Sequence, residues 1–429
     1  TELRRRFLFL IGGLIVYRIG TFIPVPGIDP VALARFFQDQ AGTILSMFNM
    51  FSGGALQRLS IFALGVMPYI SASIIVQMMA VVVPQLQALR KEGESGRRKL
   101  TQYTRYLTIA LALLQSTTLV TVARSGQLFG TTGIPECEQL LTNDVWWAQL
   151  LMIITMTAGT GLIMWFAELV TERGVGNGMS LLIFISIAAS FPAALWTVAN
   201  AQGGIMTFLL VVLLALLLIA VVVFVEQSQR RIPVQYAKRM VGRRLVGGST
   251  TYIPLKINQS GVIPVIFASS LLQLPVLAAQ FAPTASWSIW LQQHFIVNQG
   301  AWYMLTYALL ILFFAFFYTA VVFNPTETAD NLKKYGGFIP GIRPGRNTAE
   351  YLDRVLTRLT VIGAAYLAIV CILPEILISR FAVPFYFGGT SLLIVVTVTM
   401  DTVAQVQSHL LAHQYEGLIK KAKLRGRKG

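Results

Sequence analysis

The chain has 429 residues, of which 55% are hydrophobic and only 12% are charged. Soluble globular domains carry about 25% charged residues, so this composition excludes an ordinary soluble domain and indicates a membrane protein with several spans. The net charge of +16 would suggest nucleic-acid binding in a soluble protein, but cytoplasmic loops of membrane proteins also collect Lys and Arg. Three His and two Cys form neither a ligand cluster nor a disulfide framework, so we predict no metal site and no cofactor.

Ten segments are apolar and long enough to cross a bilayer, which takes about 20 residues per helix. They cover residues 7–25, 60–82, 104–123, 147–169, 179–199, 206–226, 258–280, 302–323, 357–377 and 389–409. The first run continues without a small-x-small processing site, so we predict no cleavable signal peptide. An even number of spans places both termini on one side of the membrane.

Positive charge is distributed unevenly between the two sides that these spans define. Of the 34 Lys and Arg, 29 lie on the side of the N-terminus. The opposite side carries Arg35, Arg58, Arg124 and Arg380, and Arg18 lies inside the first span. Because Lys and Arg concentrate in cytoplasmic loops, we predict that both termini are cytoplasmic. The end of the chain, residues 410–429, is predicted to be a basic cytoplasmic tail, and its last stretch, KKAKLRGRKG (420–429), is predicted to be flexible.

Two long connections on the basic side, 227–257 and 324–356, are more than simple linkers. The first alternates polar residues with Ile, Val and Tyr, which predicts a hairpin of strands. The second contains Pro-Gly turns around Arg343, which stiffen the backbone. Such loops either determine topology alone or form a docking surface for a large cytoplasmic partner.

Ionisable side chains inside the predicted spans are few. Glu168, Glu226 and Asp401 lie near cytoplasmic ends, and Arg18 snorkels at the far end of the first span. This pattern argues against an ion-coupled transporter, which places carboxylates or broken helices around a midplane substrate. No His lies mid-span, which argues against an intramembrane protease. The GVGNG stretch at 174–178 lacks a following Lys-Ser/Thr and is a tight turn, not a phosphate-binding loop. We predict that the protein is not an enzyme.

Two features of the apolar segments need an explanation. The stretch 43–73 is interrupted by Gly53-Gly54, charged at Arg58 and kinked at Pro68, none of which suits a simple span. Small polar residues also lie at the start of the second and seventh spans: Ser71, Ser73, Gln77, Asn258 and Gln259. These polar side chains either hydrogen-bond between packed helices or mark a seam between helices that opens.

Seven motifs in order make the chain resemble a known family over essentially its whole length. They are MFNMFSGGAL, GVMPYISASI, KEGESGRRK, TERGVGNGMS, FNPTETADNLKK, PGIRPG and VPFYFGGTSLLI. Together they resemble the SecY/Sec61-alpha family, the channel subunits of Sec protein translocases. The resemblance implies an all-α membrane protein with ten transmembrane helices in two pseudo-symmetric five-helix halves around an hourglass pore. The halves correspond to residues 1–200 and 201–409.

The resemblance also implies site residues. A plug at about 43–57 includes Phe48, Asn49, Met50, Gly53 and Gly54. A pore ring maps to Val66, Ile70, Ile183, Ile266 and Ile394, with the sixth member left open. A lateral gate between spans two and three and spans seven and eight includes Ser71, Ser73, Gln77, Asn258 and Gln259. Docking of the SecA motor or the ribosome is expected at Arg243, Arg244 and Arg343.

The function that the resemblance implies is passage of unfolded secretory proteins across the inner (plasma) membrane of a bacterium, with sideways release of transmembrane segments. The expected partners are SecE, SecG, the SecA ATPase, the ribosome, signal sequences, unfolded polypeptide and membrane lipids, and no DNA. Two alternatives stay open: a secondary transporter of small solutes, and a membrane scaffold or insertase without a through-pore.

Overall fold

Long apolar helices dominate the chain, and a small β-rich region interrupts them. The computed structural model describes residues 1–26, 54, 59–125, 146–200, 204–237, 239–246, 248–261, 263–272, 285–291, 301–381 and 389–426. The helices are α1 (Glu2–Gly20), α2 (Met67–Val82), α3 (Pro84–Lys91), α4 (Glu94–Ser125), α5 (Trp146–Arg173), α6 (Gly178–Ala199), α7 (Gly204–Gln227), α8 (Ile263–Leu271), α9 (Ser286–Leu291), α10 (Ala301–Val322), α11 (Pro325–Lys334), α12 (Arg346–Phe381) and α13 (Gly389–Gly426). The strands are β1 (Gln229–Tyr236), β2 (Arg239–Val241), β3 (Arg244–Val246), β4 (Thr250–Lys256) and β5 (Gly337–Phe338).

Each predicted span overlaps a helix of the structure. By length and composition, five helical stretches of the described residues suffice to cross a membrane: Trp146–Arg173, Phe208–Gln227, Trp302–Lys334, Arg346–Ile372 and Ser391–Lys423. The bent pair α2 and α3 would make a sixth. The protein is therefore a helical membrane protein with several apolar spans.

The second predicted span differs from its helix in a way that proline explains. Pro68 lies in the first turn of α2. A proline is tolerated there because backbone N–H groups of the first turn have no acceptor within the helix, so the N–H that proline lacks is not missed. It therefore starts the helix, and the predicted kink at this position is wrong. The bend of 99° comes instead between α2 and α3, where Val83 is extended before Pro84 because a residue preceding proline avoids the helical region.

We divide the helices by chain order into an N-terminal group (α1–α6) and a C-terminal group (α7–α13), which meet along two seams. In the N-terminal group, α5 packs against α1, α4 and α6, and α2 packs against α4. In the C-terminal group, α10 packs against α8 and α12, and α13 against α7 and α12. One seam joins α2 to α8, and the other joins α6 to α7 and α13. The core of both groups is one continuous cluster of buried apolar side chains.

The two long connections fold together into one small unit, which we call the sheet subdomain (β1–β5, α11 and the first turns of α12). β1 pairs antiparallel with β4 from Gln229 to Gln235 and with β5 at its end, so that Gln235 faces Phe338 and Tyr236 faces Gly337. The predicted hairpin of strands is confirmed. The subdomain has its own apolar cluster, formed by Ile232, Val234, Leu255, Ile339, Leu352, Val355 and Leu356.

The C-terminal segment corrects another prediction. Residues 420–429 are predicted to be flexible, but α13 continues as a helix to Gly426. The tail lacks helix breakers until Gly417, and its Lys, Leu and Ala residues favour helix. Leu411, Tyr415 and Leu418 are exposed on this extension.

Candidate functional site

Five aliphatic side chains from both helix groups lie in the same buried cluster. Val66 caps the start of α2 and Ile70 follows one turn later, while Ile183 lies on α6, Ile266 on α8 and Ile394 on α13. No more than 2% of any of them is exposed to solvent. All five residues mapped to the pore ring are thus buried in the continuous apolar core that both helix groups share.

The seam between α2 and α8 passes directly beside these residues. The Ser270 hydroxyl lies 3.5 Å from the Met67 sulfur, on the opposite side of the seam. Met67 follows Val66 in sequence, and Ser270 lies one helical turn beyond Ile266. Sulfur is a weak acceptor, so this polar contact holds the two helices together only loosely.

The residues mapped to the gate divide into two sets. Ser71, Ser73 and Gln77 lie on α2 and are partly buried. The side-chain oxygen of Gln77 is buried and has no hydrogen-bond partner among the described residues. A buried unpaired carbonyl oxygen destabilises the packed arrangement, so α2 holds a polar group that the packing of the described residues leaves unsatisfied.

Asn258 and Gln259 occupy a different place. They lie in the turn between β4 and α8, because α8 begins only at Ile263, and the prediction that they lie in the first turn of a span is wrong. The Asn258 amide donates to the Glu226 carboxylate of α7 at 2.8 Å and to the Gly261 carbonyl at 3.1 Å. The Gln259 side chain accepts from the Lys256 backbone N–H. This set joins the sheet subdomain to the membrane helices.

The residues mapped to docking are exposed on the sheet subdomain. Arg243 and Arg244 lie at the turn of the β2–β3 hairpin. Arg343 is exposed in the turn before α12, between Gly341 (φ +81°) and Gly345 (φ +102°). The Thr348 hydroxyl donates to the Arg343 carbonyl at 2.8 Å and braces this turn. The three cations are therefore exposed on two ordered turns, that of the β2–β3 hairpin and that before α12.

Most of the predicted plug lies outside the described residues, including Phe48, Asn49, Met50 and Gly53. Gly54 is described and has a φ of +84°. That backbone conformation suits glycine and is unfavourable for other residues.

The sequence reasoning missed an ion pair beside a cavity of about 690 Å³ between α4 and α5. The Arg105 guanidinium donates two hydrogen bonds of 2.8 Å to the two oxygens of Glu168. Glu168 alone looks like a carboxylate that reaches water, and only the packing of α4 on α5 reveals its partner. Among the described residues, no cluster of His, Cys, Asp and Glu is arranged to hold a metal ion.

The fold belongs to a class with solved representatives. The chain resembles a structure described as a protein conducting channel with a TM-score of 0.68 and 16% identity, over 95% of this chain and 92% of that one. It also resembles Sec61 in a canine ribosome-channel complex, with a TM-score of 0.65 and 15% identity over the same shares. At these identities the likeness establishes the fold alone, and this fold is the one seen in protein-conducting channels.

Sequence comparison identifies the family within that class. Residues 60–403 match the SecY family model. The protein translocase subunit SecY of Streptomyces scabiei is 53% identical, over 98% of this chain and 97% of that protein. The corresponding subunit of Escherichia coli strain K12 is 52% identical, over 99% and 96%. The chain belongs to the SecY family.

Proposed function

We propose that this chain is the central pore-forming subunit of a protein translocation channel. It passes unfolded secretory proteins across the bacterial inner membrane through ten spans arranged in two halves, with both termini in the cytoplasm. The observation that carries the proposal is that the aliphatic set Val66, Ile70, Ile183, Ile266 and Ile394 comes from both helix groups and is buried throughout in their shared apolar core. Family membership and the channel fold support the same conclusion.

An aliphatic constriction suits this task because of its chemistry. A narrow apolar ring resists filling with water and ions and gates by dewetting. Aliphatic side chains have no hydrogen-bonding groups that a passing chain must satisfy, so segments of any sequence are tolerated. A ring of polar side chains would bind some segments and leave its own groups unpaired beside others.

The seam between α2 and α8 is the proposed lateral gate. Its polar contact at Met67 and Ser270 is weak, and the side-chain oxygen of Gln77 has no hydrogen-bond partner within the described part of the chain. The apolar core of a signal sequence, about 7–15 residues long, competes for this seam and then partitions into lipid. Ser71 and Ser73 lie on α2, as Gln77 does. Asn258 and Gln259 act differently, by fixing the turn that leads into α8.

Energy for movement comes from outside the channel, from the SecA ATPase or from chain elongation at the ribosome. We propose that both dock on the sheet subdomain through Arg243, Arg244 and Arg343, all of which are exposed. The segment 43–57 acts as the movable plug. SecE clamps the two halves, and SecG is a further subunit.

The pore is tested by replacing Ile183 and Ile266 together with Gly and measuring ion conductance of the reconstituted complex in planar bilayers. We expect conductance to rise, because the constriction loses two of its side chains. Ile369→Gly is the matched control, since Ile369 is 59% exposed on α12. Unchanged conductance in the double variant, and after deletion of 43–57, would favour a scaffold without a pore. Ion-coupled uptake of a small solute by the protein alone would favour a transporter.

The docking surface is tested with Arg343→Glu. We expect motor-driven export to fall more than ribosome-driven membrane insertion, because the motor meets the turn that carries Arg343. Lys334→Glu makes the same charge change at another exposed site of the subdomain. An equal loss in both assays would mean that the turn has only a structural role.

A further inference from the structure

One hydrogen bond connects the two helix groups at the end of the proposed gate away from Met67. The Arg90 guanidinium on α3 donates to the Val321 carbonyl on α10 at 3.4 Å. Arg90 belongs to the last turn of α3 and Val321 to the last turn of α10. The bond joins positions 231 residues apart and is exposed to water.

The sequence leaves the Val321 carbonyl available for this bond. In an α-helix a carbonyl accepts from the N–H four residues later. Here that residue is Pro325, which has no N–H. The carbonyl also lies at a helix C-terminus, where the aligned peptide dipoles carry partial negative charge and favour a cation. A guanidinium is therefore a well-matched donor at this position.

Arg90 is held on a rigid base that belongs to the N-terminal group. The 99° bend after α2 turns α3 back onto α4. At their contact a Cβ on Gly96 would overlap the Leu89 carbonyl oxygen, so the backbones touch. On the other side, α10 packs directly on α8. The bond therefore links the α2–α4 side of the seam to the α8–α10 side.

We propose that Arg90 is a specificity-determining residue that latches the gate and sets how apolar a signal sequence must be to open it. The inference rests on the proposed lateral gate and adds a residue to it. An exposed hydrogen bond from a cation is weak and readily broken, and its contribution is similar to the gain from burying about one methylene group. A latch of this strength is decisive for marginal signals and unimportant for strongly apolar ones.

The test uses the whole reconstituted complex and two secretory substrates that differ only in the signal: one strongly apolar, one weakened by Leu→Ala substitutions in its core. With Arg90→Gln we expect export of the weak-signal substrate to rise about threefold, the change that follows from losing one such bond. Export of the strong-signal substrate stays within about 1.5-fold. Lys91→Gln is the control, because this neighbouring residue is also exposed and basic. Arg90→Lys, which keeps the charge without the planar fork, lies between wild type and Arg90→Gln.

Equal behaviour of Arg90→Gln and Lys91→Gln, or an equal rise for both substrates, would overturn the latch alone. Failure of the wild-type complex to export the strong-signal substrate would overturn the proposed function and the latch with it. A second measurement fixes the seam covalently. Arg90→Cys with Val322→Cys, joined by a cleavable bis-maleimide, should block export of both substrates until the linker is cleaved, and normal export by the joined complex would contradict the latch.

Discussion

The membrane helices and the sheet subdomain are both held by apolar clusters, but the two clusters follow different rules. Along β1, burial alternates: Ile232 and Val234 are buried while Pro233 and Gln235 are exposed, because one face of the strand meets water. On α7, apolar residues cover every face, and only 6% of the apolar stretch within Phe208–Gln227 is buried inside the protein. In hydrocarbon an apolar side chain has about the same free energy whether it faces lipid or another helix. Hydrophobicity alone therefore does not select which face of a membrane helix packs inside the protein.

What selects the inner face of the membrane helices is close approach and hydrogen bonding. Gly159 and Gly178 touch carbonyl groups of neighbouring segments, those of Ile61 and Ala167. Tyr17 on α1 lies 2.9 Å from the Ser186 hydroxyl on α6, and both side chains are buried. Small residues and buried hydrogen bonds are the usual means of helix association in lipid. Three predictions follow this difference between the two regions.

The largest effect is expected from Gly159→Ala on α5. The added methyl group overlaps the Ile61 carbonyl oxygen, and a backbone atom cannot rotate away as a side chain can. We expect a loss of more than about 3 kcal/mol, the upper end of ordinary overpacking, seen as a lower thermal unfolding midpoint in detergent. Gly161→Ala is the control, since there the nearest atom is Ile109 Cδ1 at 3.6 Å. Equal effects at the two positions would contradict a close-packed contact.

The second prediction compares one substitution in both regions. Leu255→Ala removes a fully buried side chain from the sheet subdomain and should destabilise that subdomain by about 3 kcal/mol. Leu213→Ala on α7, where the side chain is 64% exposed, should change stability by less than about 0.5 kcal/mol. Hydrogen exchange of β1 and β4 measures the first, and thermal unfolding the second. A large loss from Leu213→Ala would mean that this face of α7 packs against protein.

The smallest effect is expected from Tyr17→Phe. The substitution removes the hydrogen bond to Ser186 but keeps the ring stacked on Phe62 at 5.7 Å. Hydrogen bonds between membrane helices contribute about 0.6 kcal/mol on average, so we expect a loss of about 1 kcal/mol or less. Tyr103→Phe, at a 48% exposed ring on α4, serves as the control for the same hydroxyl deletion. A stabilised Tyr17→Phe variant would show that the buried hydroxyl is poorly satisfied.

The residue pattern predicts local strands and helices, but it does not predict contacts between distant segments. The alternation of polar and apolar residues in 227–257 predicts the β1–β4 hairpin, because a strand with one buried face alternates in this way along the sequence. Nothing in that order says that β5, about 80 residues later, adds to the same sheet. Asn258 is polar and close to an apolar run, which suggests the gate, yet its partner Glu226 lies on α7. The partner of a polar side chain depends on which helix lies beside it.

The sequence by itself determines the composition of the spans, the uneven charge and the family, because these depend only on residue type and order. The tertiary structure alone decides which helices meet: α2 with α8, α6 with α13, and Arg90 with the end of α10. Contacts across long separations depend on packing in three dimensions. In a bundle whose helices are apolar on many sides, hydropathy distinguishes membrane from water but not one neighbour from another.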